Sequence, residues 1–386
     1  MLRPNPVFAG LPTSIFQHMT FLALDHQALN LGQGFPDEDG PLSLRAVAAK
    51  ALTDGPNQYP PSKGLAALRQ AVSAHAREYY GLTYDPEDEV VITSGGTEAL
   101  GACILATASV GEEFVLVEPT YDSYRPIVQS TGAVIRTVKL TPPDLKLTEA
   151  ALRAAIGPKT RAVLINSPHN PAGRVFTRAE LETLARVVAD TDAVVICDEV
   201  YEHLTYDGRP HIPFATLPGM RERTLKIGSA GKIFSLTGWK VGWVAGPREL
   251  VSVVTKAHQF LTFTTPPALQ QGVAHGLAQE MEFPRALTAR LQANRDILAA
   301  ALDRMGFQVL PCEGTYFLTA GIAGLKNEKD FAFCARLIRE AGVALIPLSA
   351  FYADGTPDTY VRFAFCKKQA LIEEAVARLE TYFARR

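Results

Sequence analysis

The chain has 386 residues, 47% hydrophobic and 20% charged, with a formal net charge of -2. That balance is globular, it leaves no basic footprint for nucleic acid, and no apolar window reaches the length of a membrane span. Five scattered cysteines, without a CxxC pair, argue against a disulfide framework or a zinc site and for a reducing compartment, so a soluble cytoplasmic protein is expected.

The length exceeds one simple core. The start, MLRPNPVFAGLPTSIF, is a poor signal peptide, and the first forty or so residues are rich in Pro and Gly and read as an arm, not a core element. Glu89–Thr93 reads as a strand and Thr97–Ala108 as a helix. Further apolar runs follow at Phe114–Glu118, Ala133–Val138 and Ala162–Asn166, then a helix over 178–190. Ala193–Asp198, Thr224–Gly228 and Val241–Ala245 complete the series. Strands this apolar are expected to be buried on both faces, and strands separated by helices pair in parallel. The fold class is therefore α/β, a three-layer arrangement with a mostly parallel sheet. A helical region begins near Arg248, and the pattern changes near Phe283-Pro284. Beyond it, strands are expected at Gly314–Leu318, Ala344–Ile346 and Tyr360–Phe365. The expected organisation is an arm over 1–40 packing with a small domain, a large domain over 41–282, and a small α+β domain over 283–386.

Ligands of open parallel sheets collect at the carboxyl ends of strands. There the sequence places Ser94-Gly95-Gly96-Thr97, Pro119-Thr120-Tyr121, Asn170, Asp198 with Tyr201, and Ser229-Ala230-Gly231-Lys232. No GxGxxG follows the first strand and no GxxxxGK[ST] occurs, which argues against dinucleotide and triphosphate sites. Gly95-Gly96-Thr97 suits an anion at a helix start, or an ordinary strand-to-helix turn. Asp198 ends an apolar run, so it needs a cation or several donors, as a ligand site or as a structural ion pair. Asn170 and Tyr201 suit a phenolate oxygen as donors. Lys232, without an acidic neighbour in SAGKIFS, reads as a lysine of lowered pKa or as one snorkelling from a loop. Arg362 in YVRFAFC reads as a bidentate carboxylate site or a partly buried structural arginine.

Together these residues resemble one family. SAGK followed by SLTGWKVG, with NSPHNPAG, DEVY, RFAF, NLGQGFPD and NQYPPSKGLAALRQA, is similar to the blocks of class I/II aminotransferases of fold type I, which depend on pyridoxal 5′-phosphate. The similarity spans roughly residues 4–380, and LGQGFPD and GWK look most like the branch of kynurenine, glutamine and methionine aminotransferases.

The resemblance implies these roles. Lys232 would bond the cofactor and, once released by the incoming amino acid, shuttle a proton between Cα and the cofactor. Asp198 would keep the pyridine nitrogen protonated, Asn170 and Tyr201 would hold the ring oxygen, and Tyr121 would cover the ring. Gly95, Gly96, Thr97, Ser229 and Lys240 would hold the phosphate. Arg362, with Asn170, would clamp the substrate carboxylate, while Gly34 and Phe16 close the mouth. Tyr59 would reach the phosphate of the neighbouring subunit's cofactor, implying a homodimer with shared sites. The broad family usually has arginine at Lys240; the named branch also has lysine.

No arginine in Phe16–Phe35 could serve a second carboxylate, and His258–Phe263 adds aromatic residues near the expected dimer interface. The expected reaction moves an amino group from a neutral, sulfur-containing or aromatic amino acid to a 2-oxo acid. A cysteine-conjugate β-lyase is the alternative, and an aspartate-type enzyme is less expected. A regulator with a DNA-binding domain ahead of the arm is not expected either.

Overall fold

The computed structural model describes residues 3–325 and 328–385. Positions 1, 2, 326, 327 and 386, within the expected arm and small domain, lie outside the described residues. The strands in chain order are β1 (Leu29–Asn30), β2 (Val90–Thr93), β3 (Glu113–Glu118), β4 (Val134–Lys139), β5 (Thr160–Asn166), β6 (Val194–Asp198), β7 (Thr224–Ser229), β8 (Gly242–Ala245), β9 (Gln308–Val309), β10 (Phe317–Gly321), β11 (Val343–Ala344), β12 (Ile346–Pro347) and β13 (Tyr360–Ala364).

A seven-stranded sheet runs β4-β3-β5-β6-β7-β8-β2. Its first five strands are parallel, whereas β8 is antiparallel to both β7 and β2. The central strands are apolar because helices cover both faces. The helix Gly96–Thr107, for instance, buries Ala99, Leu100, Ala102, Cys103 and Ile104. Burying a side chain the size of Leu or Ile is worth about 1.5–3 kcal/mol, so this wall is strongly held. β4 departs from the expectation of burial on both faces. It is the edge strand, only Val138 is buried, and Arg136 and Lys139 point to surface carboxylates.

Register sets the strand ends level. Asn166 pairs with Asp198, Asp198 with Ile227, and Ser229 with Gly242. The helix Arg178–Ala189 starts at a capping box in which Thr177 and Glu180 satisfy each other's backbone N–H.

The second sheet, β12-β13-β10-β9, is antiparallel and packs with the helices Glu282–Arg304, Asp330–Ala341 and Gln369–Ala384. Its strand β10 begins at Phe317, later than the expected 314, because Thr315 at φ +65° interrupts the extended backbone. The arm is more than an external strap. β1 adds in parallel to β11, and Met19, Ala23 and Leu31 are buried in one cluster with Ile338, Val343 and Ile346. The helix Ile15–Asp25 has an apolar face that needs this cover. Among the described residues no helix is long and apolar enough to cross a membrane. All five cysteines are buried and unpaired.

Candidate active site

A cavity of about 270 Å³ is walled by the arm, by the carboxyl ends of the large sheet and by the small sheet. Its lining includes Gly95, Gly96, Thr97, Ser229 and Lys240; Tyr121, Asn170, Asp198, Tyr201 and Lys232; and Phe16, Gly34 and Arg362. Of the positions given a cofactor or substrate role from the resemblance, Tyr59 alone lies off this wall. It is 82% exposed, with its ring against Phe263.

Gly95 caps the helix Gly96–Thr107 at φ +82°, without a side-chain cap. A side chain is strained at that φ, and a Cβ would sit 3.4 Å from the Lys240 backbone. Glu98, in the first turn, is turned back onto Ser94 N–H and His258. The helix start therefore faces the cavity with N–H groups and the positive end of its dipole. Lys240 has a left-handed backbone, φ +54°. A non-glycine residue held there costs free energy, and such strain concentrates at functional sites.

Asp198 is buried at the end of β6. Burial pushes its carboxyl up; a hydrogen bond from Tyr124 Oη at 2.5 Å and one from the Val200 N–H at 3.4 Å oppose that. A buried carboxylate in this setting calls for a cationic partner. Asn166 donates to the Asp198 carbonyl at 2.7 Å and accepts from the Asn170 N–H at 2.7 Å, tying the loop after β5 to the end of β6. Burial also raises the Tyr201 phenol.

Lys232 follows β7 in the helical turn Ala230–Ile233. Its Nζ donates to Tyr316 Oη at 2.7 Å. Desolvation pulls its ammonium down to about 8; Asp198 opposes this, and Lys240 and Arg362 reinforce it. Arg362 is 1% exposed, on β13. Its Nη1 donates to Asn170 Oδ1 at 3.0 Å and its Nη2 to the Gly32 carbonyl at 2.6 Å, while Nε has no partner among the described residues. The guanidinium lies 3.9 Å from the Phe317 ring centroid. Burial lowers its pKa to about 10, which leaves it cationic at neutral pH.

Sequence reasoning passed over Asn166, Tyr124 and Tyr316. Asn166 ends an apolar run just as Asp198 does, and that parallel was available. Tyr124 and Tyr316 carry no local signal, since both are ordinary buried aromatics until a partner distant in sequence meets their hydroxyls.

This donor set fits pyridoxal phosphate: a glycine cradle with a cation for a dianion, a buried carboxylate for a ring cation, and a lysine of lowered pKa in the same cavity. The comparisons agree. The family model described as "Aminotransferase class I and II" matches residues 26–379. The chain is 46% identical over 378 residues, 95% of each chain, to a probable N-succinyldiaminopimelate aminotransferase DapC of Mycobacterium tuberculosis. It is 34% identical to a kynurenine–oxoglutarate transaminase of Dictyostelium discoideum, covering 97% of this chain and 95% of the relative. An Escherichia coli structure whose study identifies a methionine aminotransferase function superposes with a TM-score of 0.96 at 38% identity, covering 99% of this chain and 100% of that one. The chain belongs to the class I and II aminotransferases, pyridoxal 5′-phosphate-dependent enzymes of fold type I.

Proposed function

We propose that this enzyme takes the amino group from a neutral L-amino acid with a sulfur-containing or aromatic side chain and delivers it to a 2-oxo acid in a ping-pong cycle. One observation carries the reading. Among the described residues the cavity's cationic side chains are Lys232, Lys240 and Arg362, and the large apolar and aromatic side chains of its wall include Phe16, Phe35, Leu100, Tyr121 and Phe317. Amine chemistry, a phosphate and an α-carboxylate use all three cations, so a side-chain carboxylate would enter unpaired.

On this reading Arg362 binds the α-carboxylate, with Asn170 already fixed on Nη1 and Nε free to donate. The Gly95–Thr97 turn, Ser229 and Lys240 hold the phosphate. Asp198 holds the ring nitrogen protonated, Asn170 and Tyr201 donate to the ring oxygen, and Tyr121 covers the ring. When bound, the cofactor supplies an aldehyde for the amino group and a conjugated ring that accepts electrons from Cα. Lys232, with its pKa near neutrality, serves as nucleophile and moves the proton at Cα. Gly34 and Phe16 close the mouth. Tyr59 serves the site of a second copy in a homodimer, which accounts for its exposure beside Phe263 and the 87% exposed Phe260.

A panel of methionine, phenylalanine, glutamine and aspartate with a 2-oxo acid tests the reading. Methionine or phenylalanine should exceed aspartate at least about tenfold in kcat/KM, as an unpaired buried carboxylate costs more than about 1.4 kcal/mol. Aspartate leading by that margin would overturn it. The 46% identity to the DapC relative favours a second reading, N-succinyldiaminopimelate, which belongs in the same panel. Pyruvate and ammonia released from a cysteine conjugate without oxo acid would instead show the β-lyase.

A further inference from the structure

Lys232 has a neighbour whose role the proposed aminotransfer does not use. Tyr316 is 1% exposed and lies outside the cavity lining. Its hydroxyl accepts from Lys232 Nζ at 2.7 Å and donates to the Gly34 carbonyl of the arm at 2.7 Å. Three parts of the molecule therefore meet in one hydrogen-bonded chain: the turn after β7, the strand entry of the small sheet, and the arm.

The backbone is built to hold that hydroxyl in place. Thr315 has φ +65°, is fully buried, and is pinned by its N–H on the Leu204 carbonyl at 2.9 Å and by Tyr206 Oη on its own carbonyl. The Tyr316 carbonyl in turn accepts from the Phe365 N–H at 3.0 Å. Gly34 is equally constrained: a Cβ there would fall 2.3 Å from the Phe317 ring and 2.7 Å from the Tyr316 ring. Only glycine lets the arm carbonyl come this close.

The direction of the bonds matters. A phenol has one proton. With that proton on Gly34, Tyr316 can only accept from Lys232, so a neutral amine keeps its lone pair free for bonding carbon or taking a proton. If the arm carbonyl withdraws, the phenol proton can turn onto Nζ and occupy that lone pair.

We propose that Tyr316 is a positioning residue that docks the free amine of Lys232 with its lone pair available, and that the Gly34 carbonyl holds Tyr316 in the accepting state. The arm's placement thereby sets the state of the lysine. This rests on the proposed role of Lys232 as nucleophile and proton carrier. The charged and titratable groups around the amine are Asp198, Lys240, Arg362 and Cys366, together with the phenols of Tyr201 and Tyr316. Substitutions at Tyr316 and Gly34 leave the four non-phenolic groups in place.

The test uses the cofactor-free full chain, so it does not depend on which amino acid is the substrate. The probe is an amine-reactive acylating reagent, with modification of Lys232 followed by peptide mass spectrometry across pH. An accepting hydroxyl favours the ammonium, so Tyr316→Phe should lower the labelling midpoint by roughly one pH unit, the size expected for losing a hydrogen bond to a charged group. Gly34→Ala should shift it in the same direction, and the double variant should shift it no further than Tyr316→Phe alone. In holoenzyme, Tyr316→Phe should slow the donor half-reaction by roughly tenfold at unchanged donor KM. An unchanged midpoint in Tyr316→Phe overturns the docking role. Additive shifts in the double variant overturn the link to the arm. Failure of the donor panel leaves both labelling results standing, so the two readings fail separately. Should Tyr316→Phe not fold, the Gly34→Ala midpoint decides: no shift sinks the proposal.

Discussion

Lys226 and Lys232 lie six residues apart, one inside β7 and one just beyond it, and the fold sends them in opposite directions. Lys226 is 3% exposed, with its Nζ 2.7 Å from Glu202 and 3.7 Å from Glu199. Desolvation alone would lower its pKa, but the two carboxylates outweigh burial and the pKa rises. Lys232 meets a phenol instead, while the nearby carboxylate of Asp198 is engaged by Tyr124, and its pKa falls to about 8. Burial is common to both, so burial alone does not make a nucleophile. The deciding variable is a carboxylate in contact.

The network around Lys226 pairs buried charges with one another. Glu202 is held well below the usual carboxylate range: burial would raise it, but Lys226 and the nearby histidines outweigh that. His75 and His203 face each other at 2.7 Å through their Nε2 atoms, and burial lowers both pKa values, that of His203 to about 3. Glu199, Glu202 and His203 lie in the same turn as Tyr201, directly after Asp198, and none of them lines the cavity.

The comparison can be broken in several ways. The largest effect is expected from Lys232→Ala. Turnover should fall by about 10⁴-fold or more, through loss of the nucleophile and proton carrier, with no loss of stability in urea. Turnover within tenfold of wild type would remove the catalytic half of the contrast. Lys226→Met should do the reverse. Stripping the cation from two buried carboxylates should cost about 3–5 kcal/mol of stability, while the folded fraction still binds cofactor covalently. The sign with pH follows from Glu202. Its folded pKa is depressed, so its stabilisation is present above the unfolded value and is lost as pH falls. The deficit of Lys226→Met should therefore shrink below the unfolded carboxylate value of about 4.5, and a deficit constant from pH 4.5 to pH 3 would contradict the pairing.

A smaller effect concerns Lys232 itself. Its folded pKa lies below its unfolded one, so between pH about 8 and about 10.5 the unfolded chain binds more protons. Cofactor-free protein should gain stability from this group as pH rises through that window, and Lys232→Ala should lack the gain in urea titrations. The smallest change is expected at Lys240, proposed above to hold the phosphate. Lys240→Gln should weaken cofactor binding by roughly tenfold, and Lys240→Arg by less, measured by equilibrium titration of the cofactor.

Much of the site was legible because each buried parallel strand of the large sheet ends in a polar residue: Glu118, Asn166, Asp198 and Ser229. Asp198 and Ser229 stand out against Val195-Ile196-Cys197 and Leu225, and their roles follow from lying at one edge of a parallel sheet. β4 was misjudged as buried on both faces because an apolar run does not say whether a strand has one neighbour or two. The strand expected from Gly314 begins three residues later because Thr315 adopts a left-handed backbone that its residue type does not announce. Tyr124 and Tyr316 were invisible for a different reason: their partners, Asp198 and Lys232, are 74 and 84 residues away in the chain.

Sequence alone therefore determined the alternation of strands and helices, the polar residues at the strand ends and the glycine turn at residues 95–96. These are properties of short segments, set by periodicity and by the backbone freedom of glycine. The tertiary structure decided which lysine is paired and which is free. Lys226 meets Glu202 from 24 residues away and Lys232 meets Tyr316 from 84. Electrostatic energies depend on separation in space, and chain distance carries no record of that until the sheets close around the cavity.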